Sequence, residues 1–307
     1  MGGSGGGFFY IGKTLNELMK ENNSSEEEAS FNREVNTYLG SLLTNLNDRD
    51  VEKVNDHLAT LEDALAEKIE GYLELKFGGS VSKHTYANGL SDIDMLVQLN
   101  NSSLAELKPK EVLTYFKNTI KDKLPQTEVS IGKLAVTVKF PDGQEIQLLP
   151  SISTETGMRI AKVDSNEWSN VIKPKQFAEK LTQVNRENIG RVVPTIKIFK
   201  AMNNQLPKQL QLSGYHIESL AIDAFKGGNV EKKTYRGMLQ HFCEHAQSAV
   251  LNPIKDSTGQ SIHVDEYLGS SNSVIRRQVS KTIERLSNKM NRADAQKSLE
   301  QWKNLID

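Results

Sequence analysis

The chain has 307 residues, a quarter of them charged, and a formal net charge of −1. That length suits one large domain or two lobes with room for a real core, and the balanced charge gives no global basic field to recruit long duplex DNA, so any nucleic-acid contact must be local. The single cysteine, Cys243, excludes an internal disulfide and a cysteine-based metal cluster, and it fits a reducing cytoplasm.

The opening, MGGSGGGFFYIG, lacks the charged n-region of a signal peptide and reads as a flexible Gly/Ser-rich lead over residues 1–13. No apolar run approaches membrane-spanning length. From Thr14 to about Leu75 the pattern is helical, with Val51, Val54, Leu58, Leu61 and Leu65 recurring at three- and four-residue spacing. The segment NNSSEEEAS predicts a capped helix start, with Ser24 or Ser25 as the cap and glutamates in the first turn. Gly71 and Gly78-Gly79 then punctuate the chain before Asp92-Ile93-Asp94 and the apolar run Met95-Leu96-Val97. Residues 111–123, EVLTYFKNTIKDK, predict an amphipathic helix. KLAVTVKF alternates, PDG turns and QEIQLLPSI returns, which predicts a hairpin. From Trp168 onward the text is helical again, through PKQFAEKLTQVN, RVVPTIKIFKAMNNQ, GYHIESLAIDAFKG, TYRGMLQHFCEHAQSAV and a long final run from Ser271. The expected architecture is α+β. A mixed sheet with flanking helices fills residues 14–160, a helical lobe fills residues 161–307, and a cleft lies between them.

The chemistry concentrates in KFGGSVSKHTYANGLSDIDMLV, Lys76 to Val97. Glycine lets backbone approach a ligand closely, and the consecutive amides of a Gly-Gly-Ser turn, with the Ser80 hydroxyl, can cradle phosphate oxygens. Side chains alternate along a strand, so Asp92 and Asp94 point to one face. Side by side they repel, and a cation is expected between them. Paired aspartates suit a hard divalent ion such as Mg²⁺, and a phosphate cradle beside magnesium carboxylates is the equipment of two-metal phosphoryl or nucleotidyl transfer.

This segment resembles the nucleotidyltransferase signature of the DNA-polymerase-β-like superfamily, in which Gly-Ser precedes Asp-x-Asp. The nearer resemblance is to 2′-5′ oligoadenylate synthetases and the bacterial cyclic-oligonucleotide synthases related to cyclic GMP-AMP synthase. It is carried by Gly78, Gly79, Ser80, Lys83, Thr85, Gly89, Ser91, Asp92 and Asp94, and further on by TIKIFKAMNN and GYHIESLAIDAF. The resemblance spans about Leu75 to Phe225. It implies a polymerase-β-like catalytic lobe and template-independent joining of nucleoside or deoxynucleoside triphosphates into a short linear or cyclic oligonucleotide. Mg²⁺ or Mn²⁺ is the implied cofactor. The implied setting is bacterial anti-phage defence in the cytoplasm, with a separate effector protein that senses the product and no membrane partner. Nucleotidyl transfer onto another acceptor, and a degenerate nucleotide- or RNA-binding sensor, are the alternatives.

The departure is at the third carboxylate, which the superfamily carries three positions before a proline. Here GQEIQLLPSI has Gln147 at that position. Glu145, two residues earlier, shares its strand face and has a side chain one methylene longer than an aspartate's, so Glu145 is expected to complete the metal site with Asp92 and Asp94. Gln147 then serves as a neutral ligand or hydrogen-bond donor. The alternative is that the third ligand is lost. Lys197 and Lys200 lie at i, i+3 on one helix and are expected to grip the triphosphate, with Gly79, Ser80, Lys83, Thr85 and Ser91 around it. Tyr215 is expected to stack on a base. His84 reads as polar loop. The His241/His245 pair is expected on an exposed helix face rather than on zinc, because no further ligand set accompanies it. His263 to Ser273 reads as a polar segment over the cleft.

Overall fold

A computed structural model describes residues 15–66, 71–162, 165–255, 257 and 264–306. The Gly/Ser-rich lead and His263 lie outside the described residues. The elements run in order as α1 (Leu15–Asn47), α2 (Val51–Ala66), β1 (Gly71–Phe77), α3 (Gly79–Ser82), β2 (Ile93–Ser102), α4 (Pro109–Lys123), β3 (Glu128–Ile131), β4 (Val136–Lys139), β5 (Glu145–Thr154) and β6 (Gly157–Ile160). Six helices follow: α5 (Pro174–Glu187), α6 (Val192–Asn204), α7 (Gly214–Phe225), α8 (Tyr235–Ala249), α9 (Val274–Ala295) and α10 (Leu299–Lys303).

The strands form one mixed sheet in the order β1-β2-β5-β4-β3, with β6 also paired to β5. The β2–β5 pairing is parallel and sets Asp94 beside Gln147, while β1–β2 and β4–β5 are antiparallel. Ile93, Met95, Val97 and Leu99 of β2 and Ile146 and Leu148 of β5 are all at most 2 % exposed. They share a core with Leu61 and Leu65 of α2 and with Val112, Phe116 and Ile120 of α4. Strand alternation therefore turns Asp94, Glu145 and Gln147 to the opposite face, which those two helices leave uncovered. The expected hairpin is present, with Lys139 opposite Glu145 across the PDG turn, although regular pairing begins only at Val136.

Three expectations are corrected. Residues 71–75 are strand rather than the end of a helical stretch. YLELKF alternates with period two, Leu73 enters the core, and the segment pairs with β2. Ser24 and Ser25 lie inside α1, which already begins at Leu15, so neither caps it. The final helical run is broken after Ala295, where Lys297 adopts φ 46° and the Ser298 hydroxyl accepts from the Gln301 amide to restart the chain as α10.

The second core is helical and contains a helix from the other end of the chain. Phe31, Val35, Leu39, Leu43 and Leu46 of α1 pack with Ile196 and Phe199 of α6, Leu239 and Phe242 of α8, and Trp302 of α10. A division near residue 160 is thus a division of sequence, and in space α1 joins the later helices. Arg236 of α8 reinforces this contact, donating to Glu28 and Asn32 of α1 and pairing with Asp294 at the end of α9. No helix among the described residues is long and apolar enough to cross a membrane. Leu39 is fully buried in this contact. We expect Leu39→Ala to destabilise the protein by about 2–5 kcal/mol in urea unfolding, the cost of an unfilled core cavity.

Candidate active site

The Gly-Gly-Ser turn is built directly onto the Asp-x-Asp strand. The Gly78 amide donates to the Asp94 carbonyl at 2.8 Å, and the Ser80 carbonyl accepts from the Thr85 and Tyr86 amides at 2.9 and 3.1 Å. Gly79 has φ 47°, and a Cβ placed there would lie 1.6 Å from Asp94 Oδ2. The turn needs glycine for its left-handed backbone and because the Asp94 carboxylate occupies the space a side chain would fill.

Asp92 sits at the entrance to β2, where one carboxylate oxygen accepts from Gln147 Nε2 at 2.6 Å. Burial raises its affinity for a proton, the Glu145 charge adds to this, and Lys208 opposes it. Asp94 is the more perturbed. Burial, and then the adjacent Asp92 charge, push its carboxyl up to about 6, against the pull of Lys83 and Lys200. Two lysine ammonium groups are therefore near this carboxylate, but both are bound elsewhere. Lys83 pairs with Glu218, and Lys200 pairs with Glu218 at 3.3 Å and donates to the Thr85 carbonyl at 2.9 Å.

These groups line a 380 Å³ cavity between the lobes. Gly79, Ser80, Lys83, Ser91, Asp92 and Asp94 come from the sheet lobe, and Lys200, Lys208, Tyr215 and Glu218 from the helical lobe. A second, polar cavity of 470 Å³ continues from Asp92 past Tyr86, Asn88 and Glu145. A third, largely apolar cavity of 410 Å³ lies beyond the turn and shares Gly79, Lys83 and Tyr215 with the first. The Tyr215 ring lies 4.7 Å from that of Phe177, with the Lys83 ammonium 5.4 and 5.3 Å from the two centroids.

Not every residue singled out from sequence gathers here. Glu145 is 42 % exposed and lies 3.5 Å from Lys139. Among the described residues no group of three or more His, Cys, Asp or Glu side chains is assembled to hold a metal. The expected triad of Asp92, Asp94 and Glu145 is therefore a pair with a third carboxylate turned toward its hairpin partner. Lys197 is absent from the cavity wall and donates to Asn47 at 2.5 Å, tying α6 to the end of α1. Thr85 is fully buried and gives its hydroxyl to Glu218. His241 and His245 bond to the Ala224 carbonyl and to Asp223, 3.0 and 2.8 Å away. Glu218 and Lys208 line the cavity and escaped the sequence reading. An acidic residue within the apolar run of GYHIESLAIDAF was the available signal for the first.

Residues 33–185 match the family model described as the Second Messenger Oligonucleotide or Dinucleotide Synthetase domain. Among solved structures, the chain is similar to Bradyrhizobium diazoefficiens CdnG in complex with GTP, with a TM-score of 0.64 and 13 % identity over 87 % of this chain and 94 % of that one. It is similar to CdnC from E. coli MS115-1 with ATP, with a TM-score of 0.63 and 15 % identity over 83 % and 90 %. It is also similar to Vibrio cholerae DncV, a cyclic AMP-GMP synthase in complex with a linear intermediate, with a TM-score of 0.62 and 10 % identity over 96 % and 90 %. No curated protein matches the chain. Family match and shared fold together are those of a nucleotidyltransferase-type enzyme.

The raised Asp94 carboxyl has a consequence for stability. Its protonated form is favoured in the folded chain, so the contribution is fully present below the unfolded carboxyl range near 4. It is lost as the pH rises through about 6. In chelator, Asp94→Asn should therefore raise the melting temperature at pH 7 but not at pH 4, by an amount equivalent to about 1–3 kcal/mol. Melting curves of both proteins between pH 4 and 8 check this.

Proposed function

We propose that this chain, whose residues 33–185 belong to the Second Messenger Oligonucleotide or Dinucleotide Synthetase family, is a template-independent nucleotidyltransferase. It would join nucleoside or deoxynucleoside triphosphates into a short linear or cyclic oligonucleotide signal. The observation that carries the reading is the contact of the Gly79-Ser80 turn with Asp94, beside Asp92, in one cavity walled by both lobes. The turn offers amides to phosphate, and the two carboxylates offer oxygens to a hard cation.

Asp92 and Asp94 fit Mg²⁺ or Mn²⁺. They are adjacent, partly desolvated and mutually repelling, and a divalent cation relieves both the repulsion and the burial cost. When held by Asp92 and Asp94, such an ion would supply acidification of an attacking hydroxyl and positive charge for a departing pyrophosphate. Gln147 holds Asp92 in place through its 2.6 Å hydrogen bond. Glu145 borders the same cavity as Asp92, and we assign it the third carboxylate role after rotation away from Lys139. Tyr215 offers a ring face to a base. The setting we infer is bacterial anti-phage defence in the cytoplasm, with a separate effector protein reading the product.

Incubation with labelled triphosphates and Mg²⁺ or Mn²⁺, followed by chromatography, tests the reading. Oligomers or cycles support it. Product only with an added acceptor points to transfer onto another molecule, and no product with intact triphosphate binding points to a sensor. Replacing both aspartates, Asp92→Asn with Asp94→Asn, should abolish product without loss of fold by circular dichroism. Unchanged turnover in that double variant would refute the metal assignment. For the third ligand, Glu145→Gln should slow product formation by about 100-fold or more, the upper end of what losing even a hydrogen-bond partner of a metal ligand costs. Gln147→Asp should retain activity, because it restores a carboxylate next to Asp94. A fully active Glu145→Gln enzyme would remove Glu145 from the site.

A further inference from the structure

The two lobes meet at one buried carboxylate. Glu218 of α7 is 1 % exposed and accepts three donors. Its Oε2 takes the Lys83 ammonium, and its Oε1 takes the Thr85 hydroxyl and the Lys200 ammonium. Lys83 and Thr85 follow the Gly-Gly-Ser turn in the sheet lobe, whereas Lys200 and Glu218 belong to the helical lobe. A charge this deeply buried persists only when it is paired and hydrogen-bonded, and here every partner is supplied.

The two lysines are not equivalent. Lys200 is 7 % exposed and gives hydrogen bonds to two internal acceptors, Glu218 and the Thr85 carbonyl. It neutralises the cluster from within. Lys83 borders both the 380 Å³ cavity between the lobes and the apolar cavity, and its one hydrogen-bond acceptor among the described residues is Glu218. An ammonium has three N–H donors, so two remain for a ligand.

We propose that Glu218 is a positioning residue, holding the Lys83 ammonium at the wall between the two cavities so that its two free donors meet the phosphates of a nucleoside triphosphate. This rests on reading the cavity as a triphosphate site. An unrestrained lysine places its charge on a flexible four-carbon stem and loses that freedom on binding. Glu218 removes most of that loss beforehand, while Lys200 leaves the cluster of two lysines and one carboxylate net positive beside Asp94. The same carboxylate registers α7, and with it Tyr215, against the turn.

Calorimetry with non-hydrolysable ATP and GTP analogues in Mg²⁺ tests the proposal, together with kcat and KM for product formation. The proteins are wild type, Glu218→Gln, Lys83→Met and the double variant. We expect Glu218→Gln and Lys83→Met each to weaken analogue binding ten- to hundredfold and to raise KM more than they lower kcat. The double variant should bind within about twofold of Lys83→Met, because Glu218 acts through Lys83. If Glu218→Gln does not fold, Glu218→Asp replaces it, and its smaller loss should vanish in the Lys83→Met background. Losses that multiply in the double variant, or wild-type affinity in Glu218→Gln, overturn the positioning role alone. A wild-type protein that binds neither analogue overturns the triphosphate reading and this role with it.

Discussion

The parallel pairing of β2 with β5 is the constraint on which the site depends. It sets Asp94 opposite Gln147 and, one pleat earlier, brings Asp92 within reach of the same glutamine. Because both strands alternate, the apolar half of each is committed to the core under α2 and α4, and the polar half must face the cleft. A slip of one residue in this register would bury two aspartates and expose Ile93 and Met95, so the core fixes the site as firmly as any contact within it.

The charges that collect on that face balance only in part within the sheet lobe. Asp92, Asp94 and Glu145 are all negative, Lys139 answers Glu145 at the outer edge, and Lys83, which acts on Asp94, is itself paired with Glu218. Further compensation comes from across the cleft, where Lys208 acts on Asp92 and Lys200 acts on Asp94. Closing the two lobes together is therefore part of the electrostatics of the site. The packing of α1 serves the same end, because a helix from the start of the chain buried among the last ones leaves the helical lobe with a single core.

Much of this was legible in the sequence. The Gly-Gly-Ser turn, the two aspartates, the hairpin through PDG and each helix after Trp168 are local patterns, and local patterns survive folding. What was not legible is what depends on distant partners. YLELKF carries a short period-two alternation of its own that the helical periodicity before it masks, and the edge that makes it a strand is supplied by β2. Lys197 and Lys200 share a helix face by spacing, yet only Lys200 enters the cleft, since Asn47 of α1 captures Lys197. Glu145 satisfies the alternation argument and still turns to Lys139, a cross-strand neighbour fixed by hairpin register. Glu218 was not legible as a site residue because two of its three donors, Lys83 and Thr85, come from the other lobe and lie 135 and 133 residues away in sequence.

The geometry also changes what the paired motifs mean. The glycines and the aspartates read in sequence as two signals at a suggestive spacing, one for phosphate and one for metal. In space they are one packing unit, because the hydrogen on Gly79 faces the Asp94 carboxylate where any larger group would collide with it. A side chain at position 79 would therefore act twice, obstructing the proposed phosphate cradle and expelling the carboxylate from its place. Conversely, the Gly78 amide bonded to the Asp94 carbonyl keeps the turn from drifting away from the strand. The turn cannot be reshaped independently of the aspartate, and a phosphate bound on the turn is necessarily bound next to that carboxylate. Under the proposed function, that enforced adjacency of two anions is the physical argument for a cation at the site.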